Sequence, residues 1–243
     1  VVKLLGMKTQ LHQSARPGST DHEVRPRSMS SRVRIPVGEV TLHGDLEIPE
    51  KAVGIALFAH GSGSSRHSPR NQFVARTLHE SGIATLLFDL FTREEEAEDA
   101  HTGHLRFNIG LLAERLVAAT RWVANHPQRR HLGLGYFGAS TGGAAALAAA
   151  ASLGSAIDAV VARGSRPDLA RDALEYVKSP TLLIVGERDE TVLELNRSAY
   201  AQLRCEKELA VIPHATHLFE ESGALEEVAR LASQWFCRRL RHR

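Results

Sequence analysis

Cysteine and aromatic residues are scarce in this chain of 243 residues, and each shortage argues against a class of protein. The two cysteines, Cys205 and Cys237, do not form a spaced metal-binding or redox motif. We interpret them as ordinary thiols of a reducing, cytoplasmic compartment, with a single disulfide between them as the alternative. Aromatic residues make up 5% of the chain, and no basic stretch has aromatic residues interleaved for base stacking. We therefore expect no nucleic-acid partner.

An excess of one charge and long hydrophobic runs are also missing. The 30 lysines and arginines nearly balance the 28 aspartates and glutamates, and the net charge of +2 is too small to indicate a polyanionic partner. No run approaches the roughly 20 apolar residues that cross a bilayer, and we expect no membrane association. With 43% hydrophobic residues, the chain can form one sizeable core. A small-molecule ligand is the expected partner, and a homodimer is compatible with the sequence.

The first 29 residues differ from the rest of the chain. Residues 1–27 are basic, lack hydrophobic periodicity and contain Pro17, Gly18 and Pro26 among serines, arginines and histidines. Their apolar start is too short and interrupted for a secretory signal. We predict a disordered leader or an artificially added extension over residues 1–29, followed by one domain over residues 30–243.

Strands and helices alternate through that domain. The pattern predicts a hairpin over Ser31–Ile48, an acidic polar loop over residues 91–104, and buried strands with helices between them. The predicted strands are 53–59, 83–90, 132–137, 157–161, 181–185 and 208–212. This order is typical of an α/β fold: a mostly parallel central sheet with helices on both faces, here without a large cap domain. Ligands of such sheets bind at the carboxyl ends of the strands.

A serine stands between glycines directly after one of these strands. Gly138-Ala139-Ser140-Thr141-Gly142 matches the G-x-S-x-G nucleophile elbow, which requires a sharp turn from strand to helix. The context is the required one, because a predicted strand precedes it and a helix of small residues follows. We predict that Ser140 is a nucleophile, and the alternative is a small-residue turn that packs a helix on the sheet.

A serine nucleophile needs a base, and the base needs an acid that orients it. In this fold the order along the chain is Ser, Asp or Glu, then His. Asp189 follows the strand at 181–185 and is the predicted acid, with Glu187 and Glu190 as rivals. Asp168, beside Pro167, is predicted to be a helix N-cap.

The base is expected in a loop after the last strand, where His214 and His217 are the candidates. We predict His217, because it lies deeper in the loop and directly before Leu218 and Phe219, two apolar anchors. The segment 99–104 carries Asp99, His101 and His104, but no further ligand cluster accompanies it, and we expect no metal.

Two backbone N–H groups must face the oxyanion of such a reaction. The predicted donors are Ser62, in the loop His60-Gly61-Ser62-Gly63 after the strand at 53–59, and Thr141 at the helix start. The loop is not a phosphate-binding fingerprint, because the lysine of a P-loop is absent.

With these motifs, the sequence resembles the dienelactone hydrolase-like branch of the α/β-hydrolases from about Arg34 to Phe236. The segments that carry the resemblance are His60–Arg66, Phe88–Leu90, Gly138–Gly142 and Ala215–Phe219. Arg163–Asp168 also resembles a segment of relatives, some of which are fused to phosphoribosyltransferase domains. The resemblance implies an α/β-hydrolase fold and a Ser-His-Asp triad. Dienelactone hydrolases proper have cysteine at the elbow, and Ser140 therefore favours a carboxylesterase over a dienelactone substrate.

We expect a serine carboxylesterase that hydrolyses short-chain esters through an acyl-enzyme intermediate, without a metal or organic cofactor. Arg66, Arg106 and Arg166 are interpreted as exposed arginines rather than as ligands of an acidic substrate. The alternatives are acyl transfer, or thioester, amide or lactone hydrolysis by the same triad. A non-catalytic α/β-hydrolase scaffold that acts as a binding protein is the alternative outside enzymes.

Overall fold

The structure is a computed structural model that describes residues 29–127 and 129–241. The leader predicted over residues 1–29 lies outside these ranges except for Met29, which begins the first strand. In the described ranges, the strands are β1 (Met29–Val37), β2 (Val40–Ile48), β3 (Gly54–Ala59), β4 (Ile83–Phe88), β5 (Gly133–Ala139), β6 (Ala159–Arg163), β7 (Thr181–Gly186) and β8 (Lys207–Ile212). The α-helices are α1 (Pro69–Glu80), α2 (Arg93–Thr102), α3 (Ile109–Ala124), α4 (Thr141–Leu153), α5 (Glu190–Gln202) and α6 (Ala224–Arg239). Three 3₁₀ segments are Leu105–Phe107, Gly154–Ala156 and Pro167–Tyr176.

All eight strands belong to one sheet, in the order β1-β2-β4-β3-β5-β6-β7-β8. The hairpin β1–β2 and the pair β2–β4 are antiparallel, and every pair from β4 to β8 is parallel. The predicted fold, a mostly parallel sheet, is therefore confirmed. The carboxyl ends of the parallel strands lie along one edge, which is where the predicted site residues follow β3, β5, β7 and β8.

The central strands are apolar throughout because both of their faces are covered. In β3, Ile55 and Leu57 belong to the core layer beneath α3 and α4, whereas Ala56 and Phe58 belong to the layer beneath α1 and α6. Alternate side chains of one strand thus supply two hydrophobic layers. The sheet is held rigidly between helices, as a precisely shaped edge requires.

Helix α4 lies very close to the end of β3. A Cβ atom added at Gly142 would lie 2.1 Å from the carbonyl oxygen of Ala59 and 2.5 Å from that of His60. Such distances are far below van der Waals contact, and only glycine allows the helix start to rest on this backbone.

The prediction of a polar loop over residues 91–104 is wrong, because most of this segment is the helix α2. The side chain of Thr92 accepts a hydrogen bond from the N–H of Glu95, and the Glu95 carboxylate accepts one from the N–H of Thr92. This capping box and the left-handed Gly103 at the other end stabilise a helix that has no apolar stripe. Between β4 and α3 the structure has this helix and one 3₁₀ turn, rather than a cap domain.

The predicted N-cap role of Asp168 is also wrong. Arg166 is the residue that precedes the 3₁₀ segment, and Asp168 lies in its first turn. The Asp168 carboxylate accepts two hydrogen bonds from the Arg166 guanidinium, at 2.9 and 2.8 Å, which satisfies it without a backbone cap.

Across the described ranges, none of the helices combines the length and the apolar character that a membrane span requires. Cys205 and Cys237 are both free thiols.

We expect Gly142→Ala to lower the free energy of unfolding by about 3 kcal/mol, because the new methyl group cannot be accommodated without moving α4 from β3. Gly110→Ala, at an exposed position of α3 with the nearest atom at 3.5 Å, is the matched control. It should be neutral or stabilising by up to about 1 kcal/mol. Chemical denaturation measures both, and equal losses in the two variants would contradict the close-packing argument.

Candidate active site

Ser140 occupies the sharp turn between β5 and α4, as predicted. Its backbone has φ 52° and ψ −121°, a conformation that residues other than glycine rarely adopt. The N–H of Ser140 donates to the carbonyl of Arg163 at 3.1 Å, and its carbonyl accepts from the N–H groups of Gly143 and Arg166 at 3.0 and 3.2 Å. The strained turn is thus held by β6 and by the loop after it, and strain of this kind clusters at functional sites.

His217 and Asp189 come from the loops after β8 and β7 and are in direct contact. Nδ1 of His217 lies 2.6 Å from Oδ2 of Asp189. The Asp189 side chain is 14% exposed and that of His217 is 40% exposed. Because Nδ1 faces the carboxylate, Nε2 is the ring nitrogen left for another partner.

The loop that carries His217 is fixed by neighbouring backbone. The N–H of Arg188 donates to the carbonyl of Ala215 at 2.9 Å, and the N–H of Thr216 donates to the Glu221 carboxylate at 3.0 Å. Of the two predicted anchors, Phe219 is buried, whereas Leu218 is exposed. One apolar anchor and two hydrogen bonds therefore hold the imidazole in place.

The rival candidates lie outside this arrangement. The N–H of His214 donates to the Glu187 carboxylate at 2.7 Å, and both side chains are largely exposed. Glu190 is exposed in the first turn of α5. His214 does not line the cavity that contains Ser140, and the carboxylate that contacts His217 is that of Asp189 rather than of either glutamate.

Ser140 and His217 line one cavity of about 200 Å³. Ser62, one of the predicted oxyanion donors, lines it as well. Oγ of Ser62 lies 3.1 Å from Oγ1 of Thr141, so the two predicted donors are neighbours. A larger cavity of about 830 Å³ lies between α3 and the β1–β2 turn and contains none of the predicted site residues.

His60 ties the loop that carries Ser62 to the end of β4. Its Nε2 accepts a hydrogen bond from the N–H of Leu90 at 3.0 Å, and its Nδ1 lies 3.0 Å from the carbonyl oxygen of Gly61. Because a carbonyl can only accept, Nδ1 must carry a proton, and because Nε2 accepts from Leu90, it carries none. The imidazole is therefore neutral. Desolvation by burial lowers the pKa of His60 below its ordinary value, which favours the same state.

Arg66 ties the other end of this loop to the same segment. Its N–H donates to Asp89 at 2.9 Å, its guanidinium also binds the Asp89 carboxylate, and Nε lies 3.2 Å from Asp45. Hydrogen bonds and an ion pair therefore hold the segment His60–Arg66 against the segment Phe88–Leu90, and these contacts position Ser62. Both segments carry the family resemblance, but their role in positioning Ser62 was not predicted from the sequence.

The interpretation of Arg66, Arg106 and Arg166 as exposed side chains is wrong, since all three are half-buried. Each binds an aspartate of the chain: Arg66 binds Asp89, Arg106 binds Asp99, and Arg166 binds Asp168.

Asp99 is further occupied by the N–H groups of Leu105 and Arg106, at 2.7 and 3.1 Å. Among the described residues, no group of three or more His, Cys, Asp or Glu side chains could hold a metal ion.

Sequence reasoning missed Arg163, the last residue of β6. This side chain is buried, and it lines the cavity together with Ser140 and His217. The available signal was an arginine at the end of an otherwise apolar strand, Ala159-Val160-Val161-Ala162.

Comparison with known proteins places the chain in a family. Residues 52–231 match the family described as the alpha/beta hydrolase domain. A solved structure of a dienelactone hydrolase from Anabaena variabilis is 58% identical, with a TM-score of 0.87, and the match covers 88% of this chain and 99% of that one. The chain belongs to the dienelactone hydrolase-like α/β-hydrolases. Est1E from Butyrivibrio proteoclasticus has the same fold at 18% identity, with a TM-score of 0.72 over 85% of this chain and 98% of its own.

Two curated relatives of this α/β-hydrolase carry a different name. They are proteins of Mycobacterium tuberculosis, strains CDC 1551 and H37Rv, provisionally named phosphoribosyl transferases. Each is 53% identical over 222 residues, which is 91% of this chain but 49% of the relative. The chain thus spans about half the length of these relatives.

We expect the His60 imidazole to stay neutral, with its proton on Nδ1, at a pH where ordinary histidines are protonated. Because its pKa in the folded protein lies below the ordinary 6.5, its contribution to stability is constant above about pH 6.5. That contribution is lost as the pH falls from there through the folded pKa. Imidazole ¹⁵N–¹H correlation spectra over a pH series measure this, with the exposed histidines as internal controls. A titration midpoint at or above 6.5, or a proton on Nε2, would refute the assignment.

Proposed function

We propose that this α/β-hydrolase is a serine carboxylesterase that hydrolyses short-chain carboxylic esters. The observation that carries the proposal is the 2.6 Å contact between His217 and Asp189, beside a cavity that His217 shares with Ser140. A hydroxyl on a strained turn, an imidazole and an orienting carboxylate are the components of nucleophilic acyl transfer.

In the proposed mechanism, Oγ of Ser140 attacks the ester carbonyl while Nε2 of His217 takes the hydroxyl proton. Asp189 accepts the hydrogen bond from Nδ1, holds the ring in its productive tautomer and stabilises the imidazolium. His217 then gives the proton to the departing alcohol, which leaves an acyl group on Ser140. Water attacks this acyl-enzyme while His217 takes a proton from the water. The bond between the acyl carbon and Oγ then breaks, and His217 returns the proton to Oγ, which releases the acid and regenerates the serine.

The amides of Ser62 and Thr141 are the proposed donors to the tetrahedral oxyanion. Their side chains lie 3.1 Å apart, and the Ser62 loop is tied at both ends by His60 and Arg66. Thr141 begins α4, whose dipole favours negative charge at this end. Donors that are fixed before the reaction need no reorganisation when the charge develops.

The preference for short acyl chains is supported by the size of the site. The cavity beside Ser140 has a volume of about 200 Å³, and the segment between β4 and α3 holds a short polar helix and a 3₁₀ turn rather than a cap domain. We infer that the name of the mycobacterial relatives refers to the half that this chain does not match. The matched half is the one that contains the hydrolase residues.

We expect a fluorophosphonate probe to label the wild-type protein at Ser140, because the activated hydroxyl attacks the electrophilic phosphorus. Ser140→Ala should abolish labelling and lower nitrophenyl acetate hydrolysis by about 10⁴-fold or more, whereas Ser155→Ala, at an exposed position, should change neither. Mass spectrometry locates the label, and rates with acetyl, butyryl and octanoyl esters should fall with chain length. A folded, unlabelled protein would favour the non-catalytic scaffold. Faster turnover of thioesters would favour a thioesterase, and transfer of the acyl group to an added alcohol would favour an acyltransferase.

We expect Asp189→Asn to lower kcat by about 10² to 10⁴-fold, because the amide cannot hold His217 in the tautomer that accepts the serine proton. Glu187→Gln and Glu190→Gln are matched controls that remove a carboxylate from the same turn and should stay within about 3-fold of the wild type. Steady-state kinetics on one nitrophenyl ester compare the three variants. A larger loss in either control than in Asp189→Asn would reassign the acid.

A further inference from the structure

Arg163 is buried beside the proposed nucleophile, and part of its guanidinium has no partner among the described residues. Nε and Nη1 of its guanidinium are closed off from solvent and have no hydrogen-bond partner among the described residues. No carboxylate in those residues lies within ion-pair distance of it. Its guanidinium lies over the ring of Phe219, whose centroid is 5.5 Å from Cζ. The residue lines the same cavity as Ser140 and His217.

The surroundings of this guanidinium are cationic and polar. Arg70, on α1, lines the cavity as well, and its own Nε is buried without a partner. Oδ1 of Asn71 is likewise buried and unpartnered. Desolvation, followed by repulsion from Arg70, lowers the pKa of Arg163 to about 10, which leaves it charged at neutral pH. Glu220 pairs with Arg70 at 3.2 Å, but its side chain is largely exposed.

A buried guanidinium without a counterion is unfavourable, and proteins normally pair it. Arg115, which is buried as well, follows that rule and binds the Glu95 carboxylate at 2.6 Å. Arg129 and Arg163 are both buried and have no ion-pair partner among the described residues. The Arg129 guanidinium stacks on the Trp122 ring, 4.0 Å from its centroid, and does not line the cavity beside Ser140, whereas Arg163 does. An anion that arrives with the substrate would supply the missing partner, and a carboxylate matches the planar guanidinium with two parallel hydrogen bonds.

We propose that Arg163, assisted by Arg70, binds a carboxylate at the far end of the acyl group, so that the preferred substrates are half-esters of short dicarboxylic acids. This inference rests on the proposed esterase function. We place the carboxylate on the acyl part of the ester because the cavity is small and lies against Ser140, which retains the acyl group. The alcohol leaves past His217, which is partly exposed and must protonate it.

The test compares three ethyl esters of matched length: monoethyl succinate, its neutral amide analogue ethyl succinamate, and ethyl butyrate. Acid release is followed by titration at constant pH. In the wild type, kcat/KM for monoethyl succinate should exceed that for ethyl succinamate by about 10-fold or more. Arg163→Met should bring this ratio close to 1, and Arg70→Met should lower it in part. Arg34→Met, which removes an exposed arginine of β1, should keep the wild-type ratio.

A second readout separates binding from a structural role. Because Arg163 is unpaired without ligand, Arg163→Met should raise the Tm of the free protein by roughly 2 to 4 °C, whereas loss of a structural arginine would lower it. If the variant does not fold, the wild type alone decides: succinate should protect Ser140 from a neutral fluorophosphonate, and succinamide should not.

The two proposals fail in different ways. Loss of Ser140 labelling and of turnover with all three esters would overturn the esterase function. The carboxylate site alone would be overturned if turnover depends on Ser140 but the wild type has a ratio of kcat/KM for monoethyl succinate to that for ethyl succinamate of 1 or below. It would also be overturned if Arg163→Met keeps the wild-type ratio. Absence of protection by succinate would do the same.

Discussion

The backbone of α4 rests on the last carbonyl groups of β3, and the geometry of the site depends on this contact. Because residue 142 has no side chain, the start of the helix lies against Ala59 and His60 rather than several ångströms above them. Two loops are thereby brought together, the Ser140 turn and the loop that carries Ser62. Neither loop alone could present a hydroxyl and two N–H groups to one carbonyl. Close packing of backbone on backbone is thus a condition for the proposed chemistry.

The sequence predicted the sheet well because strands that are buried on both faces have a simple sequence pattern. Strands such as β3 and β7 are short, apolar and bounded by turn residues, and these properties do not depend on neighbours far along the chain. Helix α2 was not predicted because it lacks the apolar stripe that marks an amphipathic helix in a sequence. Its capping box, Thr92 with Glu95, was legible in the sequence, and weighing it would have corrected the prediction.

The predicted site residues lie near one another for a similar reason. Each follows a parallel strand, and parallel strands end at one edge, so chain order constrained their positions. Charge pairing was not accessible in the same way. A sequence does not reveal which aspartate meets which arginine, and Arg66 with Asp89 or Arg166 with Asp168 became evident only in three dimensions.

Arg163 illustrates the limit more sharply. An arginine after an apolar strand can be solvated, ion-paired, or buried and unpaired. The sequence is the same in all three cases, although the free energies of the charged side chain differ greatly. The distinction depends on desolvation, and desolvation is a property of everything that surrounds the side chain. A protein that keeps such a group gives up stability in its free state, and the loss is tolerable when a ligand compensates for it.

The construction of α2 has a consequence for how this protein can diversify. Of its ten residues only Asp99 is buried, and ion pairs such as Glu95 with Arg115 attach it to the body of the domain. Neither hydrophobic layer depends on this helix. A longer or bulkier insertion between β4 and α3 could therefore be acquired without remodelling the core, so that this segment can vary while the folding determinants stay fixed.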